Sequence, residues 1–218
     1  MAAVDHLAKL LDLSSPATWP APPRDTVHEV LGEWGPVGAE LADLLLVRNG
    51  CYAFVSAFHL FGIAAEPTDH PADLVAWNSP THWRSEYADL ADGYLFFAED
   101  VFGSQFALPA TGDAVLLFDP ETGTTTHFAT TLAAWATTLF DDPAYHTGYP
   151  LAQAWQEHHG ALPSDTRLLP KIPFFVGGKY EVDNLFPSDS ATGMRTRAAV
   201  AAQIKDLPNG TTITFRTT

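Results

Sequence analysis

The residues best equipped for chemistry do not assemble into a recognisable catalytic set. Glu157-His158-His159 is the grouping nearest to a metal site, yet adjacent histidines project in different directions from a helix and need a third ligand from elsewhere to share an ion. The pattern reads as surface histidines. Asp119 and His127 fall where a hairpin can bring them face to face, but no Ser or Cys in a Gly-x-Ser-x-Gly context accompanies them, so a triad is not supported. Cys51, the single cysteine, follows a helix end beside Tyr52 and reads as a small core residue, not a nucleophile. Gly177-Gly178-Lys179 lacks both the Walker spacing and the Ser or Thr that follows the lysine, so it reads as a turn. No catalytic residue, metal or cofactor is expected.

Carboxylates are the remaining candidates. The chain of 218 residues carries a formal net charge of −15, unevenly spread. Met1 to Thr166 hold 4 Lys or Arg against 22 Asp or Glu, a balance of −18, while Arg167 to Thr218 hold 7 against 4, a balance of +3. A negative field repels phosphates and anionic lipid and speeds encounter with basic partners. Glu99, Asp100, Asp119, Glu121, Asp141 and Asp142 are the candidates for an acidic face that engages Lys and Arg on another protein, with Trp77 and Trp83 as aromatic anchors. The plain alternative is solvated charge that confers solubility. Arg195 and Arg197 are expected to pair with the acidic body and dock the C-terminal part.

The elements that would position these groups are legible in outline. Val4, Leu7 and Leu11 suggest a short first helix, and the proline-rich segment from Pro16 to Pro23 breaks it. Val27, Val30, Leu31 and Trp34 form a helical stripe, and the next helix buries Leu41, Leu44 and Leu45 and stops at Asn49-Gly50. A strand is expected within Tyr52 to Phe61. Ser79-Pro80 reads as the start of a helix whose aromatic face is Trp83, Tyr87 and Leu90. Tyr94 to Ala98, Phe106 to Leu108, Ala114 to Phe118 and Thr124 to Phe128 are strand-length runs separated by turn signals. Thr130 or Thr131 caps a helix carrying Leu132, Trp135, Ala136 and Leu139, which Pro143 ends. A helix from Leu151 to His159 and a boundary loop from Gly160 to Pro170 follow. Ser188 or Ser190 caps a last helix with Met194, Ala198, Ala201 and Ile204 aligned, and Ile213 and Phe215 alternate as a final strand.

Three stretches together carry a family likeness. They are Leu41 to Gly50, ending Val47-Arg48-Asn49-Gly50; Asn78 to Leu90, with Trp83-Arg84 and Tyr87; and Phe96-Phe97-Ala98-Glu99-Asp100-Val101-Phe102-Gly103-Ser104-Gln105-Phe106. In that order, over roughly residues 25 to 140, they resemble the SUKH superfamily of bacterial toxin-immunity proteins and fungal cell-wall regulators. Pro170 to Leu185 looks like an extension carried by some bacterial members. The resemblance implies an α+β domain with a central sheet flanked by helices; with the loop from Gly160 as boundary, that domain is expected over residues 1–160, and a small α/β extension over 161–218 packed on it. It also implies a binding module without enzymatic activity.

The expected function is immunity: stoichiometric binding of a cognate basic toxin, a nuclease or other nucleic-acid-targeting enzyme, by occlusion of its active site. The working surface would be an acidic face, not a pocket of converging ionisable groups. A regulatory or scaffolding protein with an endogenous partner is the alternative, and a hydrolase using the histidines ranks below both. No direct nucleic-acid or membrane contact is expected. The lone cysteine, the absence of a long apolar run and the acidic N-terminus point to the cytoplasm. Nothing in the sequence fixes the oligomeric state.

Overall fold

The computed structural model describes residues 5–208, 210 and 211. Its fold is α+β: a six-stranded antiparallel sheet flanked by helices, with a second, two-stranded sheet beside it. The strands of the large sheet lie in sequence order: β1 (Cys51–Ala53), β2 (Phe58–Leu60), β3 (Tyr94–Asp100), β4 (Gln105–Pro109), β5 (Val115–Asp119) and β6 (Thr124–Ala129). The small sheet pairs β7 (Thr166–Pro170) with β8 (Leu185–Asp189). The helices are α1 (His6–Leu13), α2 (Arg24–Leu31), α3 (Gly35–Val47), α4 (Leu74–Trp77), α5 (Leu132–Asp141), α6 (Pro143–Thr147), α7 (Tyr149–His159) and α8 (Ser190–Ile204). Among the described residues, no helix is long and apolar enough to cross a membrane.

Turn chemistry builds the meander. Asp100 accepts hydrogen bonds from the N–H groups of Phe102 (2.9 Å) and Ser104 (2.8 Å), closing the β3–β4 turn. Asp119 accepts from the N–H of Glu121 (2.8 Å) and the hydroxyl of Thr122 (2.9 Å), closing the β5–β6 turn. Side-chain carboxylates that bond two residues ahead are the ordinary device for such reversals. Since each strand is antiparallel to the next, the turns at 54–57, 101–104 and 120–123 all fall at one end of the sheet.

The sheet is covered on both faces, which is why β3 is so rich in aromatic residues. Successive side chains point to opposite faces: Phe97 packs on Trp135 of α5 at 5.5 Å, whereas Phe96 packs on Trp83 at 5.1 Å and Phe118 at 5.3 Å. The second face is closed by the 3-10 stretch Arg84–Ala91 and by α8, whose Met194, Ala198 and Ala201 are fully buried in the main core. A smaller apolar cluster joins Ala152 and Trp155 to Leu162, Leu168 and Leu185, so the expected division between residues 160 and 161 falls inside one packed group.

Several local expectations are corrected. The Ser79-Pro80 segment does not continue as an α-helix; Arg84–Ala91 is 3-10, broken at Ala88 (φ 51°), and buries Tyr87. Residues Tyr52 to Phe61 do contain a strand, and they contain a hairpin besides, because Phe54, Val55 and Ser56 reverse the chain at φ 51°, 58° and 63°. Such left-handed residues cost roughly 1–2 kcal/mol each, and the turn is held by Gln156 Nε2 on Val55 O (2.9 Å) and Arg167 Nη1 on Ser56 O (3.2 Å). The helix stripe from Val27 ends at Leu31, and Trp34 instead opens α3. Helix α8 is capped by Asp189, the residue between the two serines, which accepts from Thr192 N at 2.8 Å. The helical expectation at Val4 and the final strand with Ile213 and Phe215 lie outside the described residues.

Candidate functional site

The eight residues expected to form a binding face meet four different fates. Trp77 and Trp83 are fully buried and anchor nothing at the surface. Trp77 stacks on Phe61 at 4.9 Å and donates its indole N–H to Gln105 Oε1 at 2.9 Å, while Trp83 packs edge-on to Tyr87. Burial of their large apolar area in the core outweighs any gain from exposure. Asp141 is exposed at the end of α5. Glu99 turns into an internal polar cluster, and Asp100, Asp119, Glu121 and Asp142 converge on one cleft.

Glu99 is 1% exposed and ion-paired with Arg167 of β7, itself 1% exposed, through Nε at 2.7 Å. The same Oε1 accepts from His59 Nδ1 and the Ser190 hydroxyl, each at 3.3 Å, and Oε2 accepts from Gln105 Nε2 at 3.1 Å. Burial alone would raise the Glu99 pKa, but Arg167 and the His59 contact outweigh it and hold the carboxyl down to about 2. Burial would likewise lower the Arg167 pKa, yet Glu99 raises it, so both partners stay charged. His59 is pushed down by burial and stays neutral, which makes its link to Glu99 a hydrogen bond and not an ion pair. This cluster fastens the C-terminal segment to the sheet. Arg195 and Arg197, expected in that role, donate to the carbonyls of His82 and Phe102 instead.

The cleft lies at the turn end of the sheet, between the β3–β4 and β5–β6 turns, α6 and the segment after β7, and encloses about 850 Å³. Asp100 and Asp119 are placed by the turns they close, and Asp142 by capping α6, where it accepts from Tyr145 N at 3.0 Å. Glu121, 5% exposed, reaches across to the 3-10 turn Phe174–Val176 and accepts from Phe175 N at 3.0 Å through Oε2. Its Oε1 is buried with no hydrogen-bond partner. Aromatic rings form the far wall: Phe174 and Tyr180 stack at 3.9 Å, and Phe102 meets both edge-on. Arg197 stands at the edge with its guanidinium engaged by Gly193 O (3.0 Å) and Phe102 O (2.6 Å). Gly103 allows that approach, for at φ +79° a Cβ there would sit 2.6 Å from Arg197 Nη2.

The electrostatics follow from the geometry. Burial raises the Asp100 carboxyl to about 7 against the pull of its bonds from Ser104 and Phe102 and of Arg197 nearby. Burial also pushes Glu121 up, partly offset by the Phe175 and Phe174 amides. Burial and the charges of Glu121, Asp100 and Asp119 raise Tyr180. Four of the six carboxylates singled out for a face therefore line an aromatic-walled cleft. That corrects the expected surface, and it sets the chemistry: such a site favours a cation that brings hydrogen-bond donors.

The other chemical candidates stay apart from the cleft. His158 and His159 lie exposed at the end of α7, bonded to Ala154 O and Trp155 O of their own helix. The β5–β6 register pairs Asp119 with Thr124 and His127 with Leu116, so the two do not face each other. Cys51 is buried, which raises its thiol pKa. Lys179 follows the Gly177-Gly178 turn and lies 3.6 Å from Glu181 in solvent. Among the described residues, no three His, Cys, Asp or Glu side chains group to hold a metal ion.

Sequence reasoning missed Arg167 and the Phe174–Tyr180 wall. One signal was present: an arginine inside the apolar run Thr166-Arg167-Leu168-Leu169-Pro170 must either leave the core or be paired within it. No protein-family model and no curated protein matches the chain. Among solved structures, the fold is similar to that of Atu4351 from Agrobacterium tumefaciens, with a TM-score of 0.56, 12% identity, and coverage of 87% of this chain and 86% of that one. At that identity the likeness concerns the fold alone.

Proposed function

We propose that this chain is an immunity-type binding protein of SUKH-like kind that neutralises a basic, nucleic-acid-targeting toxin by occluding its active site. The reading rests on the net charge of −15 together with Tyr145 and Tyr180, 79% and 61% exposed at the mouth of the cleft; the convergence of Asp100, Asp119, Glu121 and Asp142 there departs from the open acidic face the sequence led us to expect, and gives a basic side chain a place to enter. Exposed aromatics beside a charged depression are what protein partners use as energetic centres. The net charge of −15 adds long-range attraction for a basic partner and none for nucleic acid. Titration calorimetry against toxin domains encoded beside the gene, repeated over a salt series, tests this. A one-to-one complex that weakens as salt rises supports it; no binding to any neighbour at low salt removes it.

A second reading, acid–base hydrolysis, draws on one observation: Asp100 holds its proton to about pH 7 in an aromatic-lined cleft. Against it, Asp100 Oδ1 and Glu121 Oε2 are each already bound by backbone N–H groups. Turnover of a glycoside or ester panel that disappears in Asp100→Asn would move the protein to that class.

A further inference from the structure

Behind Glu121, Phe175 and Arg197 lies a second depression of about 420 Å³, and these three residues form a wall common to it and the acidic cleft. Its own lining is apolar and open to solvent: Ile172 is 58% exposed, Val176 39% and Phe186 38%, with Leu169 and Val200 beneath. Three apolar side chains left exposed together on one short stretch of surface mark an interaction site when they border a polar rim. Here the rim is the carboxylate set.

We infer that cleft and groove together form a bipartite site for an extended partner segment in which an arginine or lysine stands next to a bulky aliphatic or aromatic residue. The inference rests on the reading of a basic protein partner and specifies how that partner is gripped. The basic side chain enters the cleft, stacks against the Phe174–Tyr180 pair and meets the carboxylates that line it, among them Glu121, whose residue is 5% exposed and whose Oε1 has no hydrogen-bond partner in the free protein. The resident guanidinium of Arg197 makes its hydrogen bonds to Gly193 O, Phe102 O and Met194 Sδ and none to Glu121. The neighbouring apolar side chain crosses the Glu121–Phe175 wall and covers Ile172, Val176 and Phe186. Charge complementarity at the cleft selects the basic residue, and removal of apolar surface from water at the groove selects its neighbour.

The test uses the full-length protein and labelled hexapeptides Gly-Ser-Leu-Arg-Ser-Gly, with Leu replaced by Ser or Arg by Gln, followed by NMR shift perturbation up to millimolar peptide at low salt. The parent peptide should bind, and each replacement should weaken it about tenfold, the scale of one lost charge-assisted or apolar contact. Glu121→Gln should abolish the preference for Arg while keeping that for Leu, and Ile172→Asp should do the converse. Ile172 is exposed, so its variant keeps the fold, which an unchanged thermal midpoint confirms. No parent-peptide binding at millimolar concentration, or equal loss of both preferences in both variants, overturns the inference. A toxin that binds wild type and both variants alike leaves the immunity reading standing and removes the bipartite site. Peptide selectivity without any toxin partner does the reverse.

Discussion

Glu99 and Asp100 are consecutive on β3 and both buried, at 1% and 7% exposure, yet one carboxyl is held down to about 2 and the other raised to about 7. Strand alternation sends them to opposite faces. Glu99 meets a guanidinium, an imidazole, a hydroxyl and an amide; Asp100 meets backbone N–H groups of its own turn, with Arg197 nearby but bonded elsewhere. Desolvation acts on both, and the availability of a paired cation decides the sign. The first carboxylate is thereby committed to structure, and the second is left short of positive charge at the edge of a cleft.

The largest test of that contrast is Arg167→Met. Removing one partner of a buried pair strands Glu99, and the expected loss is about 3–5 kcal/mol by urea denaturation. The double variant Glu99→Leu with Arg167→Met should recover most of it, since no buried charge then remains; failure to recover would show that shape, not charge, holds the C-terminal segment.

Next comes pH. The folded Asp100 carboxyl binds its proton up to about 7 against an ordinary 3.8, so the stability it contributes is whole below 3.8 and is lost as pH rises through about 7. Burial sets this limb, against the pull of the bonds from Ser104 and Phe102 and of Arg197 of α8; Glu121, Asp119, Asp142, His146 and Tyr180 also face the cleft. For Glu99 the sign is opposite: its contribution is whole above 4.5 and is lost as pH falls toward about 2. Urea midpoints across this range should show both limbs, and Asp100→Asn should flatten the upper one alone.

Gly103→Ala should cost about 1–2 kcal/mol from the left-handed backbone, and should also displace Arg197, whose Nη2 would stand 2.6 Å from the new Cβ. A thermal melt reads the first effect, and affinity for the proposed basic partner reads the second. The smallest change is Asp142→Asn. Asparagine caps a helix as well as aspartate does, so stability should stay within about 0.5 kcal/mol while affinity for a basic partner falls.

Where a structural device is local, the sequence announces it. The Asp119-Pro120-Glu121-Thr122-Gly123 turn, the Thr131 cap of α5 and the Met194, Ala198, Ala201 stripe of α8 all lie where their residue types place them. Where the device depends on a distant partner, it is silent. The fate of Glu99 is set by Arg167, 68 residues later, and that of Glu121 by Phe175, 54 residues later. Trp83 and Tyr87 carry helical spacing, but packing on Phe96 and Phe118 drew that stretch into a 3-10 path. The reversal at Phe54, Val55 and Ser56 uses no glycine, so nothing in its composition marks it. Four of the six carboxylates singled out for binding do meet in space, although as the lining of a cavity and not as a face.

The counter-ion for the middle of the sheet arrives from the last quarter of the chain. A nascent polypeptide that has emerged only as far as α7 would hold a carboxylate on β3 with nothing to neutralise it, and the surface that α8 later seals would stand open to water. The sheet thus contains its own check on completeness: nicked or prematurely ended copies should be poorly folded and open to proteolysis.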